Sequence, residues 1–187
     1  RFDWTEFYGD VTEAIPTDMP PPLGKEVDIR MMVDSDHAGE KRTRRSRTGF
    51  LIYCNMELII WLSKRQPTIE TSVFGAEFVA MKHGIETLRG LRYKLRMMGV
   101  PLTGPTYFYG DNKSQVTNSS RPESTLKKKC NSVCYHAIRE SVAMGESLIC
   151  HLRTQFNLSD FLTKVTNGIK RRRLVGNVLY DIYDHNT

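Results

Sequence analysis

Residues 108–116 read FYGDNKSQV, and this stretch joins a short apolar run to a carboxylate. The aromatic residues before Gly110 are typical of a β-strand, and Asp111 follows at the point where that strand should end. An aspartate in this position is either an ordinary turn residue or a metal ligand. The choice between the two depends on which other carboxylates the chain brings to it.

The whole chain has the composition of a globular domain with a modest basic excess. Of its 187 residues, 40% are hydrophobic and 26% are charged, which excludes a disordered chain. The formal net charge is +6, which favours nucleic acid as a partner. Basic runs lie at residues 41–47, 127–129 and 170–173. Each run either contacts phosphates or is a solvated loop or targeting signal, and the sequence leaves both interpretations open.

Apolar runs and cysteines narrow the class of protein further. No run reaches the roughly 18 apolar residues that a membrane span requires, and the first residues lack the apolar centre of a signal peptide. The absence of an initiator methionine leads us to expect a piece of a longer protein. The four cysteines, Cys54, Cys130, Cys134 and Cys150, match no zinc-finger spacing. This favours reduced intracellular thiols and leaves a zinc site as the alternative.

Hydrophobic periodicity predicts strands that alternate with helices. Residues 27–34, 48–54 and 58–63 are typical of strands, and the last two form a predicted hairpin. From Phe74 to Met98 apolar residues recur every three or four positions, which predicts one amphipathic helix or a close pair. Thr71 or Ser72 is its predicted cap, and Gly99 its predicted end. Two strands and further helices follow, which together predict an α/β domain with a mixed sheet packed by helices.

The chain divides into three predicted parts. Residues 15–25 contain four prolines and a glycine, which excludes a helix interior or a central strand. We therefore expect a connection and linker segment over residues 1–26 and the main domain over residues 27–165. A basic helical tail is expected over residues 166–187, where apolar residues keep a helical spacing.

Four acidic residues lie where these elements should bring side chains together. Asp34 and Asp111 are predicted at strand ends, Glu77 at the edge of the apolar stripe of the long helix, and Asp160 in the first turn of a later helix. A turn or a helix N-terminus explains each aspartate equally well when it is taken alone. Glu77 is harder to explain, because a carboxylate at an apolar face is costly unless a cation compensates it.

Five segments of the chain, taken together, resemble a known family. They read VDSDHAG, SKRQPTIETSVFGAEFVAM, YGDNKSQV, YHAIRE and NLSDFLTK, in that order. In sequence and order they resemble the ribonuclease H domain of Ty1/copia-type retrotransposon polyproteins, which lies C-terminal to the reverse transcriptase. The resemblance implies a ribonuclease H-like fold, a five-stranded mixed sheet of three antiparallel strands and two parallel additions, flanked by helices.

The resemblance also implies an active site of four acidic residues in the order D-E-D-D. Position by position, the implied catalytic and metal-binding residues are Asp34, Glu77, Asp111 and Asp160. Integrases share the fold but place the glutamate last, so its second position here favours ribonuclease H over strand transfer. The loop at residues 153–160 lacks the histidine that many cellular ribonucleases H carry there.

The implied reaction is endonucleolytic hydrolysis of the RNA strand of an RNA–DNA hybrid during reverse transcription. Carboxylate ligands suit two Mg²⁺ or Mn²⁺ ions, about 4 Å apart, that clamp the scissile phosphate. Asp34 is expected to bridge the ions, with Glu77 and Asp111 on the leaving-group side and Asp160 on the attacking-water side. Residues expected to contact the substrate backbone are Lys64, Arg65, Asn112 and Ser114.

The expected partners are the RNA–DNA hybrid and a reverse transcriptase domain in the same polyprotein. No interaction with a membrane is expected. The expected location is intracellular, in cytoplasmic virus-like particles or in the nucleus. An alternative belongs to a different class of function: a catalytically silent, host-recruited module with the same fold, which binds nucleic acid or serves a structural role. Cleavage of a hybrid separates the two hypotheses, because only the enzyme cleaves the RNA strand.

Overall fold

A five-stranded sheet forms the centre of the protein in the computed structural model, which describes residues 2–102, 104–126, 129–176 and 178. The strand order is β3-β2-β1-β4-β5. The strands are β1 (Ile29–Asp36), β2 (Arg47–Cys54), β3 (Glu57–Arg65), β4 (Thr106–Gly110) and β5 (Ser147–His151). Pairing is antiparallel among the first three strands and parallel from β1 to β4 and from β4 to β5. This confirms the predicted mixed sheet.

Local sequence explains how the first three strands form. Ile29, Met31 and Val33 alternate along β1 and are buried, as expected for a central strand with one face on the core. Strands β2 and β3 form the predicted hairpin, and Asn55 adopts a positive φ of 54° at its turn. Strand β1 continues to Asp36, so Asp34 lies within the strand rather than at its predicted end.

Six helices accompany the sheet in the described residues. They are α1 (Thr5–Tyr8), α2 (Val73–Met97), α3 (Lys113–Ser120), α4 (Ser132–Ala143), α5 (Asp160–Thr163) and α6 (Gly168–Gly176), with short 3₁₀ turns at Lys129–Asn131 and Thr154–Phe156. Helix α2 is continuous. The Ser72 side chain accepts a hydrogen bond from the Gly75 amide at 3.1 Å, and Gly99 follows the helix with a φ of 72°.

The main core lies between the sheet and helices α2 and α4. Its large buried side chains include Met31, Phe50, Phe78, Phe108 and Ile138. Gly84 of α2 allows the helix to approach the sheet closely, because a Cβ at this position would lie 3.0 Å from the Phe108 ring. This close packing holds α2 against β1, the strand that carries Asp34, and against the Phe108 side chain of β4, the strand that precedes Asp111.

The N-terminal segment packs on the outside of α2 and α4. The buried Trp4 lies under the guanidinium of Arg139, which is 4.9 Å from the ring centroid. Further along, Glu13 accepts hydrogen bonds from Arg92 and Arg96 of α2. The boundary at residues 26 and 27 stays a prediction.

Some predicted features lie outside the described residues. Lys127 and Lys128 of the second basic run are among them, as are Leu179 and Ile182 of the predicted tail helix.

None of the helices in the described part of the chain combines the length and the apolar character needed to cross a membrane.

Candidate metal centre

Three of the four predicted carboxylates form one group. Oxygen atoms of Asp34, Glu77 and Asp111 all lie within 4.8 Å of one another. Asp34 lies near the carboxyl end of β1, and Asp111 directly follows its parallel neighbour β4, so the two reach the same edge of the sheet. Helix α2 crosses this edge and adds Glu77 from its second turn. The three carboxylates therefore lie on, or directly after, three separate elements of the fold.

Burial makes this group electrostatically unfavourable without a cation. Asp34 is 0% exposed and Glu77 is 4% exposed. Burial and the nearby charges of Asp34 and Asp111 raise the pKa of Glu77 to about 8. Burial also raises the pKa of Asp34 to about 6, although the Lys164 ammonium and the Thr163 hydroxyl oppose the rise. Glu77 is thus largely protonated at neutral pH as long as no cation binds.

Asp160 lies outside this group and is bound by two lysines. One of its oxygens is 2.7 Å from Lys164 Nζ, and the other accepts a hydrogen bond from Lys170 Nζ. Although burial opposes the effect, these hydrogen bonds hold the pKa of Asp160 below its usual value. Lys164 Nζ is also 3.2 Å from an oxygen of Asp34. Lys164 therefore joins Asp160 to the three-carboxylate group.

The packing of α5 fixes the position of Asp160. Gly49 of β2 leaves room for this helix, because a Cβ there would lie 2.6 Å from Thr163 Cγ2 and 2.9 Å from Leu162 Cβ. Thr163 in turn donates a hydrogen bond to the second oxygen of Asp34. The same short helix thus orients Asp34 and presents Asp160 beside it.

Three residues of this site, Thr163, Lys164 and Lys170, were not among the sequence predictions. Only Lys164 had a local signal, because it follows Asp160 by four positions, the spacing of a helical ion pair. Lys170 belongs to the basic run of α6, and its contact with Asp160 depends on how residues 164–167 turn. Nothing in the local pattern predicts that turn.

The predicted substrate residues lie on both sides of the carboxylate group. Asn112 and Ser114 follow Asp111, and the Asn112 side chain caps α3 by accepting a hydrogen bond from the Gln115 amide at 3.2 Å. Lys64 and Arg65 lie at the end of β3 and line a groove of about 310 Å³. Their contacts with substrate stay predictions.

Two histidines near the site bond to backbone oxygens. His151, the last residue of β5, lies 3.1 Å from the Asp111 carbonyl through its Nε2 atom. His37 Nε2 lies 3.0 Å from the Glu70 carbonyl oxygen, in the loop after β1. His151 is therefore close to the carboxylates, although it lies in a strand rather than in the loop before Asp160.

Curated relatives match about three quarters of this chain in sequence. It is 28% identical over 141 residues to the retrovirus-related Pol polyprotein from transposon RE1 of Arabidopsis thaliana, a match of 75% of this chain and 10% of the relative. It is 30% identical over 143 residues to the Pol polyprotein from transposon TNT 1-94 of Nicotiana tabacum, a match of 76% of this chain and 11% of the relative. The chain thus spans about a tenth of the length of these relatives. No family model matches the chain.

Solved structures show the same fold at low sequence identity. LC11-RNase H1, isolated from compost, has a TM-score of 0.55 and 17% identity, with 73% of this chain and 92% of that chain covered. The same protein in complex with an RNA/DNA hybrid has a TM-score of 0.56 and 13% identity, with 73% of this chain and 94% of that chain covered. The N-terminal RNase H domain of a Mycobacterium tuberculosis protein has a TM-score of 0.54 and 12% identity, with 74% of this chain and 91% of that chain covered. The chain therefore has the ribonuclease H fold, and its sequence and fold together fit a ribonuclease H domain of a retrotransposon Pol polyprotein.

Proposed function

We propose that this chain is a metal-dependent ribonuclease that hydrolyses the RNA strand of RNA–DNA hybrids. One observation carries the proposal: three carboxylates with oxygens within 4.8 Å of one another lie at one edge of a ribonuclease H-type sheet. Two of them, Asp34 and Glu77, are buried, and the Lys164 ammonium that pairs with Asp34 offsets only part of their charge. A divalent cation with oxygen ligands relieves this burial of charge.

The donor set fits Mg²⁺ or Mn²⁺. Asp34, Glu77 and Asp111 would hold one ion, and Asp34 with Asp160 would hold a second. When bound, the two ions lower the pKa of an attacking water and stabilise the leaving 3′ oxygen. Asp34 is kept in position for a bridging role by the Thr163 hydroxyl. Glu77 gives up its proton when an ion binds, because only the carboxylate form is a ligand.

The substrate is recognised by its shape and charge rather than by its base sequence. A hybrid exposes 2′-hydroxyls in a wide minor groove, and Lys64, Arg65, Asn112 and Ser114 supply donors for backbone contacts. The net charge of +6 favours binding to phosphates. A structural relative with this fold was solved with an RNA/DNA hybrid, which supports the same class of substrate here.

The biological context is reverse transcription within a longer polyprotein. The relatives are transposon Pol polyproteins of which this chain spans about a tenth. We therefore propose a reverse transcriptase domain in the same polyprotein as the partner that supplies the hybrid.

A cleavage assay tests this function. A hybrid with labelled RNA is incubated with the protein in Mg²⁺, in Mn²⁺ and in excess chelator, with double-stranded DNA as a second substrate. We expect cleavage of the RNA strand with either metal and none with chelator or with double-stranded DNA. Tight hybrid binding without cleavage in either metal would instead support the silent binding module.

A further inference from the structure

Lys170 makes a contact that the proposed reaction does not use. It comes from α6, in the basic run at residues 170–173, and its ammonium bonds to one oxygen of Asp160. The Asp160 side chain is only 2% exposed, whereas that of Lys170 is 45% exposed. A solvent-exposed lysine of the tail therefore reaches a buried carboxylate beside the metal-binding group.

The two lysines together neutralise the charge of Asp160. Lys164 Nζ lies 2.7 Å from one oxygen and Lys170 Nζ bonds to the other. Each oxygen keeps a lone pair, but a divalent ion bound there would lie beside two ammonium groups that repel it. Withdrawal of one ammonium therefore favours a second ion at Asp160, whereas Glu77 and Asp111 bond to no ammonium among the described residues.

We propose that Lys170 is an internal competitor of a divalent cation at Asp160, so that binding of this ion releases the Lys170 ammonium from Asp160 and loosens α6. The inference rests on the proposed function, because it assumes that Asp160 takes part in holding an ion. It predicts two unequal binding events. The ion at Asp34, Glu77 and Asp111 binds first, and the ion at Asp160 binds second because it displaces Lys170.

Lys170 is easier to displace than Lys164. Lys164 directly follows α5 and bonds to both Asp34 and Asp160, so its withdrawal would break two ion pairs rather than one. Lys170 reaches Asp160 from a separate helix that has its own hydrophobic anchor, because Leu174 is 3% exposed and lies beside Phe156 and Leu158. Helix α6 can lose the Lys170 contact and remain attached through Leu174.

A calorimetric titration with Mn²⁺ tests the competition. Lys170→Gln removes the ammonium, and Arg171→Gln is the matched control, because it removes one charge from the same exposed helix. A partly exposed ion pair contributes up to about 1 kcal/mol, which corresponds to a change of about fivefold in affinity. We expect Lys170→Gln to tighten the second binding event about fivefold and to leave the first unchanged. Arg171→Gln should leave both events within about twofold of wild type.

Hydrogen exchange of α6 provides a second readout that does not depend on cleavage. We expect Mn²⁺ to speed amide exchange in α6 of the wild type. In Lys170→Gln, exchange should already be fast without Mn²⁺ and should not respond to it. A merely structural role of Lys170 predicts no change in Mn²⁺ affinity.

The outcomes separate the two proposals. If the wild type binds Mn²⁺ in two events and Lys170→Gln titrates identically, the competition is overturned and the metal centre stands. If no variant binds Mn²⁺, the metal centre is wrong and the competition falls with it. A tightened second event in Lys170→Gln alone supports both.

Discussion

Glu13 and Glu77 are two shielded glutamates in opposite electrostatic surroundings. Glu13 accepts hydrogen bonds from Arg92 at 2.8 and 2.7 Å and from Arg96 at 2.6 Å. Although burial opposes the effect, these bonds hold the pKa of Glu13 below its usual value. Glu77 lies against Asp34 and Asp111 instead, and burial raises the pKa of Glu77 to about 8.

The contrast separates a structural carboxylate from a binding one. Two arginines satisfy Glu13, and Arg92, whose side chain is 3% exposed, in turn needs Glu13 as its buried counter-charge. This clamp ties the N-terminal segment to α2. In the group around Glu77, Lys164 compensates only part of the charge of the three carboxylates, so the pKa of Glu77 stays raised until a cation from solution binds. The first arrangement stabilises the fold, and the second costs stability in exchange for binding.

The largest expected effect comes from removing one of the three clustered carboxylates, Asp34, Glu77 and Asp111. We expect Asp111→Asn to lower the rate of hybrid cleavage by about a thousandfold, the upper range for loss of one preorganised transition-state contact. Hybrid affinity should change little, because phosphate contacts lie elsewhere. Single-turnover cleavage and hybrid binding, measured side by side, check both statements.

Asp28→Asn is the matched control for this substitution. Asp28 is exposed just before β1, and its carboxylate pairs only with Arg30 at 3.4 Å among the described contacts. We expect cleavage within about twofold of wild type, because an exposed pair contributes little. Equal losses in the two variants would show that the assay reports general damage rather than a role of Asp111.

The next largest effect should come from the clamp. Glu13→Gln leaves Arg92 and Arg96 without their counter-charge, and we expect a loss of about 3 kcal/mol in the free energy of unfolding. Glu6→Gln, an exposed change in the same segment, should be nearly neutral. Urea denaturation measures both changes. Cleavage per folded molecule should not change, and a neutral Glu13→Gln would mean that the N-terminal segment is not held by this clamp.

Periodicity in the sequence predicted the strands and helices of the fold, but not the ion pairs between distant residues. Alternation along β1 and the three-and-four spacing of α2 are local signals, because each element must place its apolar side chains on one face. The same spacing placed Glu77 at the sheet-facing edge of α2. The predicted strand ends put Asp34 and Asp111 at one edge of the sheet. The predicted end of β1 at Asp34 differs from the observed end at Asp36 by two residues.

Contacts between distant residues left no such signal. The clamp joins Glu13 to Arg92 and Arg96, which are 79 and 83 residues away, and a single ion pair imposes no pattern on the chain between them. Asp160 was predicted as part of the acidic set, but its capture by Lys170 depends on the turn before α6. Local patterns and motifs therefore identified the four acidic residues, but not the ammonium groups that bind Asp160.

The two glutamates should also give opposite dependences of stability on pH. Glu77 has an ordinary pKa of 4.5, raised to about 8 in the fold. Its protonated form favours the folded state fully below pH 4.5, and this stability is lost as pH rises towards 8. Glu13, with a lowered pKa, contributes stability above pH 4.5 that is lost as pH falls through its folded pKa.

We therefore expect the free energy of unfolding of the metal-free wild type to fall by on the order of a few kcal/mol between pH 5 and pH 8. Glu77→Gln should lack most of this decline, and saturating Mn²⁺ should suppress it in the wild type. Denaturation at several pH values with chelator present measures the slopes. If the decline persists unchanged in Glu77→Gln, the burial of charge at this site has been misassigned.

The smallest expected effect applies the same comparison to basic residues. Arg65 pairs with Glu40 at 3.0 Å, whereas Lys64 has no carboxylate partner among the described residues. An unpaired cation is free to neutralise a phosphate, so we expect Lys64→Ala to weaken hybrid binding equally for all base sequences. It should also flatten the salt dependence of log affinity by about one unit. Arg65→Ala should flatten it less, because Glu40 already offsets its charge. Affinities at several salt concentrations give the slopes, and equal slopes for wild type and Lys64→Ala would remove Lys64 from the substrate surface.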